Sequence, residues 1–481
     1  MRLNIKAKVK KGIFWVFTHR LFIRLISFLR ISILARLLTS GDYGLSGIVT
    51  NVMLFVDVFT RTGFQIALIQ KKENIEDYLD VAWTLNLIRG IIETLAIIAL
   101  IKPLASFYEQ PLLVPLLLFA STATLITGFE SIQMVVLNKK LQMRKLSLFA
   151  IIGSMLSFLF TLGLAFWTRN VWALVGGFVI QKVISSLGSY VIAPYRPKFC
   201  LDKAKAKELW SFGKWEYMSG LLITFFMHGD DLFVGKVLGV SELGFYSMAY
   251  NIGNSISFEL VDSFRKVLFP AFSSFQNNIS RLRSSYLSVY HITAFIGCIL
   301  AIGLSLLSQQ FVDIMLGEKW IPIIPSLQIL AIWGGVQMLS TSTAPLFRAV
   351  NRPDLFAKVQ LVKLVILLIL IFPLTRWWGI AGTALSVLVS SLAELPVGII
   401  WTKQILECKY KNILIPLIPP ITSGVIVTII YNISHETINL SAQLHLLIFG
   451  IMILILYLFL TLLIDKITNA GLIQELKNTI K

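Results

Sequence analysis

The sequence predicts an all-α polytopic membrane protein: about 14 transmembrane helices in two parallel-repeat lobes around a central cavity, plus two C-terminal helices. Three observations carry that expectation: composition, the placement of basic residues, and an internal repeat. Of 481 residues 56% are hydrophobic and 14% are charged, and the mean hydropathy is +0.78. A soluble protein is ~25% charged, so this chain lacks the charge to clothe a water-facing surface. Soluble enzymes, disordered chains and nucleic-acid binders are disfavoured, despite a net charge of +18. Cys200, Cys298 and Cys408 are far apart and have no metal-ligand or disulfide spacing.

A bilayer core takes ~20 apolar residues per helix. Apolar runs between polar or Gly/Pro punctuation place spans near 13–38, 44–69, 81–101, 112–137, 148–168, 171–193 and 211–237. The series continues at 243–272, 287–309, 326–350, 359–372, 380–401, 413–432 and 443–464. With the N-terminus inside and the spans alternating, inner segments carry 26 Lys and Arg. Outer segments carry four: Lys102, Arg169, Lys319 and Arg376. This is the positive-inside pattern; it puts both termini in the cytoplasm and explains most of the basic surplus without nucleic acid. The basic N-terminus leads into an apolar run with no small-residue cleavage site, which reads as an uncleaved first helix.

The repeat aligns Ala35–Leu45 with Gly235–Phe245 without gaps. Leu38/Leu238 and Gly44/Gly244 are identical, Arg36/Lys236 and Asp42/Glu242 keep charge, and Trp15/Trp215 and Asn51/Asn251 match further out. Six helices precede the second copy, so the repeats are parallel, as in transporters whose halves rock about a central site. The expected layout is an N-lobe at 1–193, a basic cytoplasmic linker at 194–210, a C-lobe at 211–402, and helices 13 and 14 with a cytoplasmic tail at 403–481.

Charges at membrane depth cost ~2.5–3.5 kcal/mol each on insertion scales, so they face a cavity or a partner. In the first helix Arg20 and Arg24 share a face, Arg30 follows, and no acid in that helix compensates them. Cations in the inner half of the membrane suit an anionic substrate entering from the cytoplasm, such as a pyrophosphate, which the guanidinium fork can grip bidentately. Asp57–Arg61, Arg89–Glu93, and Asp262 with Arg265 or Lys266 can neutralise one another as structural pairs. Lys363 and Arg348, near helix ends, can snorkel, and His291 and His445 read as packed or interfacial. Asp57, Asp231, Glu259 and Glu394 are candidates for coupling transport to an ion, with a counter-ion role as the alternative. No P-loop, HExxH, GxSxG or GxGxxG motif occurs, and no cofactor is called for.

Several segments then resemble a known family. "LARLLTSGDYGL", "GFQIALIQKK", "LQMRKLS" and "VWALVGG" are similar to the first half of bacterial polysaccharide flippases of the colanic-acid-exporter type. In the second half so are "LWSFGKW", "DDLFVGKVLGVSELGFYSMAYNI", "VLFPAFSSFQ", "LGEKWIPIIPSLQILA" and "NRPDL". The resemblance implies the multidrug/oligosaccharidyl-lipid/polysaccharide superfamily fold. It implies flipping of an undecaprenyl-pyrophosphate-linked oligosaccharide across a bacterial inner membrane, with a pathway polymerase and glycosyltransferases as possible partners. In related flippases, arginines on the first, second and eighth helices hold the diphosphate; Arg20 and Arg24, Arg61 and Arg265 lie on the corresponding helices. The alternatives are a cation-coupled multidrug antiporter of the same superfamily, against which the cationic first helix argues, and a membrane polysaccharide polymerase, which would need larger loops.

Overall fold

The computed structural model describes residues 2–60, 68, 75–140, 142–205, 224–225, 227–435, 441–468 and 471, and their side chains except those of 2–14, 16–17, 255–256, 258–259 and 266. Described residues form helices and connecting turns, with no strand among them. Among the described residues nine helices are long and apolar enough to cross a membrane, or ten when one sharply bent pair is a single span. The chain is a multi-pass all-α membrane protein.

It divides into two compact units, Met1–Gly244 and Phe245–Lys481. The first contains α1 (Arg2–Leu37), α2 (Ser40–Thr60), α3 (Glu76–Phe107), α4 (Leu113–Gly128), α5 (Gln133–Lys139), α6 (Met143–Thr168), α7 (Trp172–Ile192), α8 (227–237) and the start of α9 (Val240–Ser274). In it α1 packs on α6, α6 on α7, α7 on α4 and α4 on α3, while α2 touches α3, α4 and α7. The second holds the rest of α9, α10 (Ile279–Leu306), α11 (Ser308–Met315), α12 (Ile324–Leu339), α13 (Thr343–Ala349), α14 (Pro353–Leu406), α15 (Tyr410–Leu414), α16 (Ile418–Ser434) and α17 (Ala442–Thr468). There α10 packs on α12, α16 and α17, and α12 on α14.

Local chemistry explains the boundaries. Thr39 and Asp42 cap α2 reciprocally: the Thr39 amide donates to Asp42 Oδ2 at 2.9 Å and the Asp42 amide to Thr39 Oγ1 at 3.2 Å. The acid shared by the two repeat copies thus serves helix initiation in the first. α4 and α5 meet at 62°, and a broken helix at membrane depth needs other donors for its freed carbonyls. Ser186 donates to Ile126 O, Asn86 to Thr127 O and Gly128 O, and Tyr190 to Phe129 O. α14 is two helices joined at Trp378–Gly379, where Gly379 takes φ +58°. Beyond that turn a Cβ on Gly382 would overlap the Leu374 carbonyl, so only glycine fits.

Helices cross closely where glycines face each other. A methyl group on Gly90 would lie 2.9 Å from the Cα of Gly128, closing α3 onto α4. The same crossing recurs between α10 and α12, where a methyl on Gly297 would lie 2.9 Å from the Gly335 carbonyl. With lipid as apolar as any core, such small-residue contacts are what hold helices together.

In two spans the buried face is a stripe at four-residue spacing. In α17 it is His445, Phe449, Ile453, Tyr457, Thr461 and Asp465, while Leu447, Ile451, Leu454 and Phe459 point outward. In the first half of α14 it is Leu355, Val359, Lys363, Leu367, Ile371 and Thr375. This corrects the reading of Lys363 as a snorkelling residue. The helix begins at Pro353 and not near 359, so Lys363 stands ten residues inside it, only 4% exposed.

Candidate functional site

In the first unit Arg20 and Arg24 of α1 lie off the row of exposed leucines on that helix. Leu21, Leu25 and Leu29 are each more than half exposed, whereas Arg20 and Arg24 are half-buried. One residue rotates an α-helix by roughly 100°, which takes the arginine row off the leucine row. The Arg24 guanidinium lies 5.4 Å from the Phe28 ring centroid. An apolar ring under a charged fork helps to fix the plane of the guanidinium.

α2 and α3 share a second cluster. Arg89 forms an ion pair with Asp57 of α2, and its Nε lies 2.8 Å from Glu93 Oε1, one turn along its own helix. Thr60 donates to that same Glu93 oxygen. The expected i,i+4 pair Arg89–Glu93 is present. Asp57 is drawn across to the neighbouring helix, and Arg61 lies outside the described residues. In this packing Arg89 ties α3 to α2.

A third group joins α2 to α8. Asn51 Nδ2 donates to Asp231 Oδ2 at 3.2 Å, and His228 Nδ1 lies 3.8 Å from the same oxygen. Asp230 and Asp231 are both buried, and the Asp231 amide donates to Asp230 Oδ1 at 3.1 Å. Asn51 is buried while its repeat counterpart Asn251 is exposed, so that match does not extend to surroundings.

In the second unit Glu394 is the centre. Ser340 Oγ donates to its Oε1 at 2.7 Å, and Lys363 Nζ lies 3.8 Å from its Oε2. Among the charges acting on Arg265, Glu394 comes first, ahead of Arg348 and Asp262. The Arg265 Nε is buried without a hydrogen-bond partner. Ser340 opens a short 3₁₀ segment, Ser340–Ser342, between α12 and α13, a break of the kind that marks hinges and sites. Glu259 lies on α9, its side chain outside the described residues.

The structure therefore groups Asp57 with Arg89 and Glu93, Asp231 with Asn51 and His228, and Glu394 with Lys363, Ser340 and Arg265. Sequence reasoning missed Lys363 and Ser340 as members of a cluster. The signal for Lys363 was its position in the four-residue stripe, and a continuous apolar background hid it. No group of three metal-ligating side chains occurs among the described residues.

Comparison with known proteins agrees with this architecture. The chain is 26% identical over 394 residues, 80% of either protein, to an uncharacterized membrane protein in the cps region of Klebsiella pneumoniae. It is 24% identical over 418 residues to the lipopolysaccharide biosynthesis protein WzxC of Escherichia coli, covering 86% of this chain and 85% of that one. The lipid II flippase MurJ, in an inward closed conformation, matches 94% of this chain and 99% of its own with a TM-score of 0.77 at 13% identity. At that identity the likeness establishes a shared fold. The family described as "Polysaccharide biosynthesis protein" matches residues 33–325, more than half of the chain. This protein belongs to the polysaccharide biosynthesis protein family.

Proposed function

We propose that the protein is a flippase moving an undecaprenyl-pyrophosphate-linked oligosaccharide from the cytoplasmic to the outer leaflet of a bacterial inner membrane for surface polysaccharide synthesis. The observation that carries this reading is the Arg20–Arg24 row, half-buried and turned off the lipid-facing leucines of α1. Cations kept from lipid at membrane depth are poised for an anion, and the diphosphate is the charged part of a lipid-linked sugar. The name of WzxC as a lipopolysaccharide biosynthesis protein and the flippase fold of MurJ support it.

In this reading fourteen spans form an N-lobe at 1–193 and a C-lobe at 211–402, joined by the basic linker 194–210, with helices 13 and 14 and the tail at 403–481 and both termini cytoplasmic. Arg20, Arg24, Arg61 and Arg265 grip the diphosphate, the sugars fill a polar cavity, and the polyprenyl chain stays in lipid. Rocking of the lobes exposes the head group outside. A polymerase and glycosyltransferases of the same pathway would hand over and receive the substrate. Of the four candidate coupling carboxylates, Asp57 and Glu394 face fixed cations, and Glu259 lies on α9. Asp231, which accepts from the neutral amide of Asn51, is the first to test.

The test is transfer of a lipid-linked oligosaccharide in sealed vesicles, read by a membrane-impermeant glycosidase. Wild-type transfer that falls in Arg24→Ala, with normal insertion, supports the reading and its anion grip. Unchanged transfer in that variant removes Arg24 from the mechanism. Absence of transfer with several glycans, together with efflux of cationic dyes, overturns the flippase in favour of a multidrug antiporter.

A further inference from the structure

The segment that leaves α7 runs down the side of a spanning helix. Tyr195 donates to Asp80 Oδ1, and the Lys198 amide donates to the same oxygen at 3.1 Å. Two residues on, the Cys200 amide donates to Thr84 Oγ1 at 3.0 Å. Lys205 then reaches back, its Nζ donating to the Asp77 carbonyl at 3.0 Å. Counted at the helical rise, Asp77, Asp80 and Thr84 stand about 1.5, 6 and 12 Å from the first residue of α3, Glu76. Residues 195–205 therefore dip along α3, and Cys200 is the deepest fixed point of the dip. Thr84 lies inside the apolar run 81–101, so that point is level with the edge of the span.

The two side chains flanking that point are apolar and open. Phe199 is 66% exposed and Leu201 57%, close to the 67% of Leu187 in the last turns of α7. Tyr195 makes the segment's inward contact, packing on Leu79, Ala82 and Trp83, while Phe199 and Leu201 turn outward. Around them Arg196, Lys198 and Lys203 are exposed. Asp202 is the one acid between 194 and 205. Its Oδ1 accepts the amides of Ala204 and Lys205 at 2.9 and 3.2 Å, and its Oδ2 lies 3.8 Å from Lys205 Nζ. That charge is matched locally, which leaves the other three cations around the apolar pair. Apolar side chains rimmed by Lys and Arg at the edge of a span have the make-up of a segment that lies in the membrane interface.

We propose that residues 196–203 are an interfacial anchor: Phe199 and Leu201 enter the leaflet at the headgroup–acyl boundary, and Arg196, Lys198 and Lys203 hold anionic phospholipid headgroups. The occupant is lipid because the Thr84 contact fixes the depth and because the charge around the apolar pair is of one sign. A soluble partner would need these side chains to stand clear of the headgroups, which the tie between Cys200 and Thr84 prevents. The inference goes beyond the flippase reading, since the lipid contact holds whatever substrate is moved. It takes from that reading only the cytoplasmic side for the start of α3. The first part of the linker is then a piece of the membrane surface and not a tether in the cytoplasm.

The test uses the full-length protein in nanodiscs of phosphatidylcholine, alone or mixed with phosphatidylglycerol. Phe199→Cys and Leu201→Cys, each in a Cys200→Ala/Cys298→Ala/Cys408→Ala background, carry a nitroxide label. Its collisions with oxygen, which concentrates in lipid, should exceed those with a water-soluble nickel chelate at both positions, as they should for a label at Leu95→Cys on the exposed face of α3. Headgroup binding is read separately, with the native cysteines in place. Phosphatidylglycerol should raise the melting temperature of the wild type, and Arg196→Gln/Lys198→Gln/Lys203→Gln should lose part of that shift. The tie of Lys198 to Asp80 runs through its amide and survives the substitution. Nickel collisions that dominate at Phe199 or Leu201 would put that side chain in water, overturn the anchor and leave the surface to a soluble protein. A phosphatidylglycerol shift undiminished in the triple variant would overturn the headgroup contacts.

Discussion

Gly44 and Gly244 meet backbone to backbone. A methyl group on Gly244 would stand 2.9 Å from the Gly44 amide nitrogen and overlap the Ser40 carbonyl, and a methyl on Gly44 would overlap the Val240 carbonyl. The contact matches itself across the repeat: Ser40 corresponds to Val240 as Gly44 corresponds to Gly244. The identity that marked the two copies in the sequence is the one their touching helix starts require.

Gly44→Ala and Gly244→Ala should each destabilise the protein by about 1–3 kcal/mol or more, the usual cost of forcing atoms into a filled contact. Because both relieve one crossing, the double variant should cost less than the sum of the singles. Thermal unfolding in nanodiscs checks this, and strict additivity would mean that the two glycines act in separate places.

Arg89→Met should be the most damaging change in its cluster, since it leaves Asp57 and Glu93 facing each other with their shared cation gone. Glu93 is buried while Arg89 and Asp57 are half-buried, so the loss should fall below the cost of about 3–5 kcal/mol for breaking a fully buried pair. Glu93→Gln keeps an acceptor for Thr60 and leaves Arg89 with Asp57, so its loss should be smaller. Comparing the two melting temperatures gives the order; equal losses would contradict the shared-cation geometry.

The glycine crossings of α3–α4 and α10–α12 should behave alike. Gly90→Ala meets Gly128 Cα and Thr124 O at 2.9 Å, and Gly335→Ala meets Ala301 Cβ and Gly297 O at 2.8 Å, whereas Gly128→Ala meets nothing nearer than 3.3 Å. The first two should lower the melting temperature by several degrees, on the scale of about 1–3 kcal/mol for overpacking, and the third should be the mildest. A ranking with Gly128→Ala worst would refute the crossing as described.

The linker after α7 is docked by a phenol. Tyr195 donates to Asp80 Oδ1, and the same oxygen accepts the Lys198 amide at 3.1 Å. Burial first, and then the hydrogen bond to Asp80, push the Tyr195 hydroxyl well above the ordinary tyrosine range. A raised folded-state value means the contribution is complete below the unfolded value near 10 and is lost only as pH rises through the folded one. Trypsin protection of the linker should therefore persist at pH 10 in wild type and be lost at all pH values in Tyr195→Phe. Loss of wild-type protection between pH 8 and roughly 10, where a free phenol begins to ionise, would count against the buried contact.

The composition, the basic asymmetry and the duplicated Gly44/Gly244 segment sufficed for the class, because bilayer insertion depends on the chain's own hydropathy and on charge near each span. The Arg20–Arg24 face was legible for the same reason: two cations four residues apart in an apolar helix stand out against their background. The Gly90–Gly128 and Gly297–Gly335 crossings, by contrast, are repeated with a spacing that differs from that of the first motif, so a gapless comparison could not align them.

Partners were a matter for tertiary structure. A membrane helix is apolar on its lipid face as well as its packed face, so the periodic contrast that reveals a soluble helix's buried side is missing. For that reason Lys363 read as a helix-end residue, and its place in the Leu355–Val359–Lys363–Leu367 stripe went unseen. Which helices neighbour one another decided that Asp57 meets Arg89, that Asn51 meets Asp231, and that Glu394 sits between Ser340 and Lys363. Sequence spacing determines who shares a face of one helix; who waits on the next helix depends on close packing between glycines and small residues, which only the folded chain expresses.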